Sequence, residues 1–190
     1  MKVTFIGAHG TGKTTLLKGL EDRLLKCGAT VQVTPEVPRV VCKNEDDPEF
    51  FQRSKNTLLK QMILLIGQPV YETAASKDSD LVMCDRSILD HWAYTRHLFR
   101  QKLEESDAER AIDALVKKHC SSYEQIYYLP VEFSAKDDGI RERDDYFQRL
   151  IDAEIKLLLD RYNLPFIKIT GSIEERVRQV CSHLPINVST

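Results

Sequence analysis

Short apolar runs alternate with longer stretches of helical spacing along the chain. Residues 3–6, 30–34, 81–84, 125–129 and 166–169 read as buried strands. Between them, residues 13–26 place Leu16, Leu17, Leu20, Leu24 and Leu25 on one face, with Gly28 as the stop. Residues 104–119 carry Ala108, Ala111, Ile112, Leu115 and Val116 at helical spacing. Residues 144–162 carry Phe147, Leu150, Ile151, Ile155, Leu158 and Leu159, while 88–100 and 173–181 read as further helices. Residues 36–47 read as a polar loop, and Pro48 suits a helix start. That helix shows an inward stripe of Phe51, Ser54, Leu58, Gln61, Met62 and Leu65 and is expected to bend or break at Pro69. The alternation predicts βαβ units: five parallel strands with helices on both faces. No repeat and no Ser/Gly/Pro-rich linker divides the chain, so one domain over residues 1–190 is expected.

Composition narrows the class of protein. With 27 Lys+Arg against 29 Asp+Glu, the chain of 190 residues has a net charge of −2 and no basic excess for coating nucleic acid. Its longest aliphatic run, residues 62–66, is far below the ~20 residues of a membrane span. The first residues read as a strand entering a glycine loop, not as a cleaved leader. Cys27, Cys42, Cys84, Cys120 and Cys181 are odd in number and scattered, with no Cys-x-x-Cys pair. They are expected to be reduced thiols of a cytosolic protein, with neither disulfide framework nor zinc site.

The chemistry begins at Gly7-Ala8-His9-Gly10-Thr11-Gly12-Lys13-Thr14, which fits G-x-x-x-x-G-K-[ST] between a strand and a helix. A chain of this composition meets that pattern by chance about three times in a thousand. Only a backbone with little side chain can curl tightly enough to aim many amides at a polyphosphate. The amides of residues 9–14 would hold phosphates at the helix start, with Gly7, Gly10, Thr11, Gly12 and Thr15 completing the loop. Lys13 would neutralise the β- and γ-oxygens of ATP, and Thr14 would ligate Mg²⁺. His9 stands at a free position of the motif, where an exposed side chain is expected, although phosphate contact stays open.

Such a loop needs a carboxylate to order Mg²⁺, and the run Leu81-Val82-Met83-Cys84 ends in Asp85. Arg86 follows at the height of the phosphates, free to meet them or to pair with Asp85. Asp85-Arg86-Ser87 resembles the Asp-Arg and Glu-Arg-Ser signatures of thymidylate kinases and deoxynucleoside kinases. The longer stretch from Asp85 through Asp90 to Ala93-Tyr94 is similar to D-R-x-x-x-D-x-x-A-Y of small P-loop ATPase/kinase domains, a group with ribosylnicotinamide kinase domains and many phage-encoded kinases. Pro35-Glu36-Val37-Pro38-Arg39 resembles the P-E-x-x-R of that group, and Asp138-Gly139-Ile140-Arg141 its D-G-x-R lid. The resemblance implies a three-layer α/β P-loop kinase fold, a five-stranded parallel sheet in the order 2-3-1-4-5, and a small lid over about residues 131–146.

It also implies roles. Glu36 corresponds to the base that takes or orients an attacking hydroxyl, with a solvated loop charge as the alternative. Arg39 would hold an acceptor phosphate or the transferred group; Phe51 and Gln61 would line the acceptor pocket; Arg141 or Arg143 would close on the transferring phosphoryl. Trp92 and Tyr94 are expected in the core. Residues 170–172 would pass the adenine with no evident side-chain reader. No N-K-x-D and no L-S-G-G-Q occurs, against a GTP switch and a transporter ATPase, and the chain is expected to be too short for the helical lid domain of an AAA+ motor. The reading that follows is a Mg-ATP-dependent kinase of a small acceptor, a nucleoside or nucleotide, with no membrane partner. A kinase of nucleotides within DNA or RNA and a nucleotide-dependent switch or assembly ATPase remain alternatives.

Overall fold

A computed structural model describes residues 1–44, 56–75, 79–132 and 145–185, without the side chains of residues 39 and 42–44. Strands β1 (Lys2–Ile6), β2 (Val31–Thr34), β3 (Leu81–Asp85), β4 (Gln125–Tyr128) and β5 (Ile167–Lys168) form one sheet. All pairings are parallel, in the order β2-β3-β1-β4-β5. Around it lie α1 (Lys13–Lys26), α2 (Val37–Asn44), α3 (Leu58–Ala75), α4 (Ile88–Leu103), α5 (Asp107–Cys120), α6 (Asp145–Arg161) and α7 (Ile173–His183). This is the expected three-layer arrangement and strand order.

Successive side chains on a strand point to opposite faces, and each face meets its own helices. Val3, Phe5, Leu81, Met83, Tyr127 and Leu129 pack on Leu16, Leu17, Leu20 and Leu24 of α1 and on Val177 and Val180 of α7. On the other face Ile6, Val82, Cys84, Ile126 and Tyr128 meet Leu65, Leu89, Trp92, Ile151, Ile155 and Leu158. Each such buried side chain contributes about 1.5–3 kcal/mol. Trp92 is core as expected, and its Nε1 donates to Asp113 Oδ1 at 2.7 Å and to the Tyr162 hydroxyl at 3.1 Å.

Three local expectations, at residues 37–44, at Pro69 and at Phe166, need correction. Residues 37–44 form α2 instead of a loop. Pro38 sits in its first turn, where the lost amide costs nothing. Val37 is fully buried against α3, so close that a Cβ on Gly67 would come within 3.1 Å of it. Pro69 does not end α3, which continues to Ala75. Gln68 and Glu72 are wholly buried on either side of the proline. Gln68 Nε2 donates to Arg86 O and to Glu72, whose carboxylate also takes bonds from Lys2, His119 and Tyr123. These contacts offset the ~3 kcal/mol that an interior proline costs.

On α5 the buried face is Val116 and Cys120, while Ala108, Ala111 and Leu115 face solvent. The helix is turned to offer Asp113 to Trp92 and Tyr162. Phe166 precedes β5 and is 41% exposed, lying edge-on to Tyr128. Cys84 and Cys120 are buried and Cys27 is exposed, and these, like Cys181, are free thiols. No helix among the described residues is long and apolar enough to cross a membrane.

Candidate active site at the strand exits

The site is built on the turn between β1 and α1. Gly7 has φ +148°, and a Cβ there would sit 2.4 Å from the Leu129 carbonyl oxygen, so only glycine lets β1 leave the sheet beside β4. Gly12 caps α1 from the left-handed region (φ 87°, ψ 17°), and no side chain caps its first amides. A helix start in that condition presents unpaired N–H groups and the positive end of its dipole to an anion. Thr14 and Thr15 are exposed on that first turn.

Lys13 folds back into the loop. Its Nζ donates to Gly7 O (2.7 Å), Ala8 O (2.6 Å) and Thr11 Oγ1 (3.2 Å). Burial, with the Arg86 charge next in weight, lowers its pKa to about 7. Thr14 Oγ1 donates to Asp85 Oδ2 at 2.8 Å. Asp85 stands opposite Phe5 in the β1–β3 register, which sets it beside the loop. Burial, then the Glu36 charge, raises its pKa, and its Oδ1 is buried without a hydrogen-bond partner.

Arg86 does not pair with Asp85. Its backbone turns left-handed at φ 81°, with the carbonyl held by Thr4 Oγ1 and Gln68 Nε2, both at 3.0 Å. That turn sends the guanidinium to Glu36: Nε donates to Oε1 at 2.7 Å. Nη1 lies 3.9 Å from Asp90 Oδ1 and makes no hydrogen bond, and the group stands over the Tyr94 ring at 5.6 Å. Burial lowers its pKa, but Glu36, Tyr94 and Asp90 outweigh that and keep it protonated. Glu36 is 5% exposed, so it is not a solvated loop charge.

His9 is buried, contrary to expectation. Its Nδ1 lies 2.9 Å from the Tyr94 hydroxyl, which also accepts the His9 amide at 3.1 Å. The Phe147 ring lies tilted beside it at 5.8 Å, and Gln148 Nε2 donates to the His9 carbonyl at 2.6 Å. Helices α4 and α6 thus close over the loop, and Tyr94 belongs to it rather than to the core alone. Gln61, expected to face an acceptor, is buried with its amide engaged at both ends: it donates to Asn56 Oδ1 (3.0 Å) and accepts from Thr95 Oγ1 (3.4 Å). Phe51, Arg141, Arg143, the Arg39 side chain, the Pro48 helix start and residues 133–144 of the lid lie outside the described residues.

Sequence reasoning quoted Asp90 in its motif without giving it a role, and missed Gln148 and Arg176. Asp90 Oδ1 accepts the Gly7 amide at 3.0 Å, and its Oδ2 accepts Ser87 N at 2.8 Å and Ser87 Oγ at 2.9 Å. Ser87-x-x-Asp90 is a capping-box pattern, so the signal was present. Arg176 Nη1 donates to Thr11 O at 2.6 Å from 165 positions away, and no local pattern announces it.

Comparisons with known proteins agree with the fold. A family model described as an AAA domain matches residues 2–176. The structure is similar to a NadR protein solved in complex with NR, at TM-score 0.71 and 18% identity, over 100% of this chain and 53% of that one; this chain thus spans about half its length. It is similar to deoxyadenosine kinase from M. mycoides with bound dATP (TM-score 0.63, 16% identity, 96% and 97% of the two chains). It also resembles thymidylate kinase from Ehrlichia chaffeensis (0.64, 16%, 98% of each). Among curated proteins, none matches the sequence.

Proposed function

The chain belongs to the AAA domain family, and from that premise we propose that it is a magnesium-dependent P-loop kinase moving the γ-phosphoryl group of ATP to a small acceptor, a nucleoside, a nucleotide or a related metabolite. The observation that carries this reading is the meeting of Thr14 with Asp85, 2.8 Å apart, at the open end of the loop and next to the Glu36–Arg86 pair. A loop that only gripped phosphate would need no buried carboxylate on the neighbouring strand.

The donors suit the metal. Thr14 and Asp85 offer hard oxygens, and Asp85 Oδ1 is a buried atom lacking a partner. Among the described residues no group of three His, Cys, Asp or Glu side chains forms a ready cage. That fits an ion taking its other ligands from phosphate and water. Thr14 and Asp85 would hold Mg²⁺, which when bound would supply neutralisation of the phosphate charge.

The remaining work falls to the chain. The amides of residues 9–14 hold the phosphates, and Lys13 exchanges its loop carbonyls for phosphate oxygens. Glu36, held by Arg86, takes or orients the acceptor's proton, a contribution of about 10²–10⁴ where the acceptor is a hydroxyl. Arg86 offers Nη1, which makes no hydrogen bond, to the transferring group, and Arg141 or Arg143 would join on closure of the lid.

A panel of nucleosides, nucleotides and ribosylnicotinamide with γ-labelled ATP tests the reading. Label transferred to one acceptor class supports it. ATP binding with no transfer to any of them rejects it.

A further inference from the structure

Two polar side chains stand where the core alone would take apolar ones. Thr4 is fully buried in β1, on the sheet face it shares with Ile6. Gln68 is fully buried in the inward stripe of α3, beside Leu64, Leu65 and Glu72. Burying a hydroxyl or a carboxamide is costly unless its hydrogen bonds are made, and here both make one to the same atom. Thr4 Oγ1 and Gln68 Nε2 each donate to the Arg86 carbonyl at 3.0 Å.

That carbonyl belongs to a residue whose backbone needs support. Arg86 has a φ of +81°, in the left-handed region that side chains rarely adopt. Its amide is held in the ladder by Phe5 O at 3.2 Å. With the amide fixed, rotation about N–Cα swings the Cβ and the carbonyl carbon together. Holding the oxygen therefore holds the direction in which the guanidinium leaves the chain. That direction brings Nε to Glu36 Oε1 at 2.7 Å and leaves Nη1 without a hydrogen bond.

Gln68 is itself fixed. Nε2 also donates to Glu72 Oε1 at 3.0 Å, and Oε1 lies 3.3 Å from His91 Nε2. Two acceptors at the nitrogen allow the carboxamide only one sense, and they make His91 Nε2 the donor to its oxygen. Glu72 takes further bonds from Lys2 Nζ at 3.0 Å, His119 Nε2 at 2.8 Å and the Tyr123 hydroxyl at 2.6 Å. Burial works to raise its pKa, but bonds from His119, Tyr123 and Gln68, with the Lys2 charge, hold it below the usual carboxylate value. Glu72 thus stays an acceptor for Gln68.

We propose that Gln68, backed by Glu72 and joined by Thr4, is a positioning residue of the transfer reaction: it holds the Arg86 turn and so aims the guanidinium at Glu36. This rests on the P-loop kinase reading above, which gives the Glu36–Arg86 pair its work. Gln68 acts through Arg86, from inside the core.

Gln68→Met keeps the volume and removes both donors, while Glu72 keeps Lys2, His119 and Tyr123. With Mg-ATP and the best acceptor among nucleosides, nucleotides and ribosylnicotinamide, kcat is expected to fall about 10–100-fold, as for a misplaced reacting group. Both KM values should stay within about threefold. An unchanged kcat overturns the proposal. A double-mutant cycle separates positioning from packing: in an Arg86→Ala background, Gln68→Met should change kcat by less than about threefold. An equal loss in both backgrounds makes Gln68 a packing residue and overturns the proposal too. The Arg86 Nε–H resonance, identified by its loss in Arg86→Lys, reads the same geometry without turnover. It should be sharp in the wild type and shifted or lost in Gln68→Met. If no acceptor is phosphorylated yet the resonance responds, the kinase reading fails and the hold on Arg86 stands. If transfer occurs and Gln68→Met alters neither kcat nor the resonance, the hold fails and the kinase reading stands. Should Gln68→Met not fold, Thr4→Val removes the other donor to the same oxygen with little change of shape. It is expected to lower kcat about 3–10-fold and to move the same resonance; no change in either overturns the proposal.

Discussion

Lys13 shows how a single residue reports the state of the site. Its amine is buried, and burial, with the nearby Arg86 charge, lowers its pKa to about 7 from 10.5. Below about pH 7 the amine is charged whether the chain is folded or not, and the burial penalty is constant. Between about 7 and 10.5 the unfolded chain holds a proton that the folded chain has released, so this group's contribution to stability rises with pH across that window. Phosphate oxygens would restore the charged form. Nucleotide binding at pH 8.5 should therefore take up about one proton at Lys13, read by calorimetry in buffers of different ionisation enthalpy. Lys13→Met should abolish the uptake, and an uptake unchanged in that variant would remove Lys13 from the phosphates. Glu36 offers a second reading at the same scale. Glu36→Gln keeps the shape and an acceptor for Arg86 Nε but loses the base, so kcat for a hydroxyl acceptor should fall about 10²–10⁴-fold. The nucleotide affinity should stay within about threefold, because no phosphate contact is removed. A loss confined to affinity would assign Glu36 to binding.

The element that decides the geometry is α4, whose first turn is tied to the loop it faces. Asp90 accepts from Gly7 N, Ser87 N and Ser87 Oγ, and Tyr94, one turn on, bonds to His9. Residues four apart share a helix face, so one face of α4 fixes both ends of the 7–9 segment. Asp90→Ala would leave two buried amides without an acceptor, at about 1–3 kcal/mol each. Urea unfolding is expected to show a stability lower by about 2–6 kcal/mol, read as a lower midpoint with an unchanged slope; a loss below about 1 kcal/mol would mean that water replaces the carboxylate. What the chain discloses in advance follows the same local logic. The phosphate loop and the Asp85 strand end were legible because each is a contiguous pattern, and the Ser87-x-x-Asp90 box was written there unread. Helix α2 was misjudged because the polar run of residues 43–47 coloured the reading of the whole stretch, and because Val37 is buried by contact with Gly67 of the distant α3. His9 was misjudged because its cover, Tyr94 and Gln148, lies 85 and 139 positions away. Gln148 and Arg176 could not be read at all, since each looks like an ordinary surface residue until a distant turn comes to meet it.

For the molecule as a whole, ligand and fold are linked through the loop. Two apolar layers clamp the sheet, and Glu72 ties α3 to β1 and α5 through Lys2 and His119 at the end away from the cleft. The cleft end is tied by groups proposed to meet the two ligands: Lys13, Asp85 and Arg86 for the donor, Glu36 for the acceptor. Anything that binds only the folded chain stabilises it by mass action, about 2.7 kcal/mol at a hundred times its dissociation constant. For a chain of this size that raises Tm by roughly 5–10 °C. The size of the rise should depend on the metal for a reason visible in the site. Burial and the Glu36 charge already raise the Asp85 pKa, so a second anion beside it is unwelcome unless a cation stands between. Mg-ATP should therefore give the full shift, and ATP with EDTA less than half of it. Asp85→Asn separates the causes: with the charge gone, the EDTA arm should lose less, because repulsion is relieved along with metal binding. Equal shifts with and without EDTA in the wild type would remove Thr14 and Asp85 as the magnesium site. The loop and Lys13 would then hold the phosphates alone, and the reason for a buried carboxylate at the end of β3 would have to be sought in the fold.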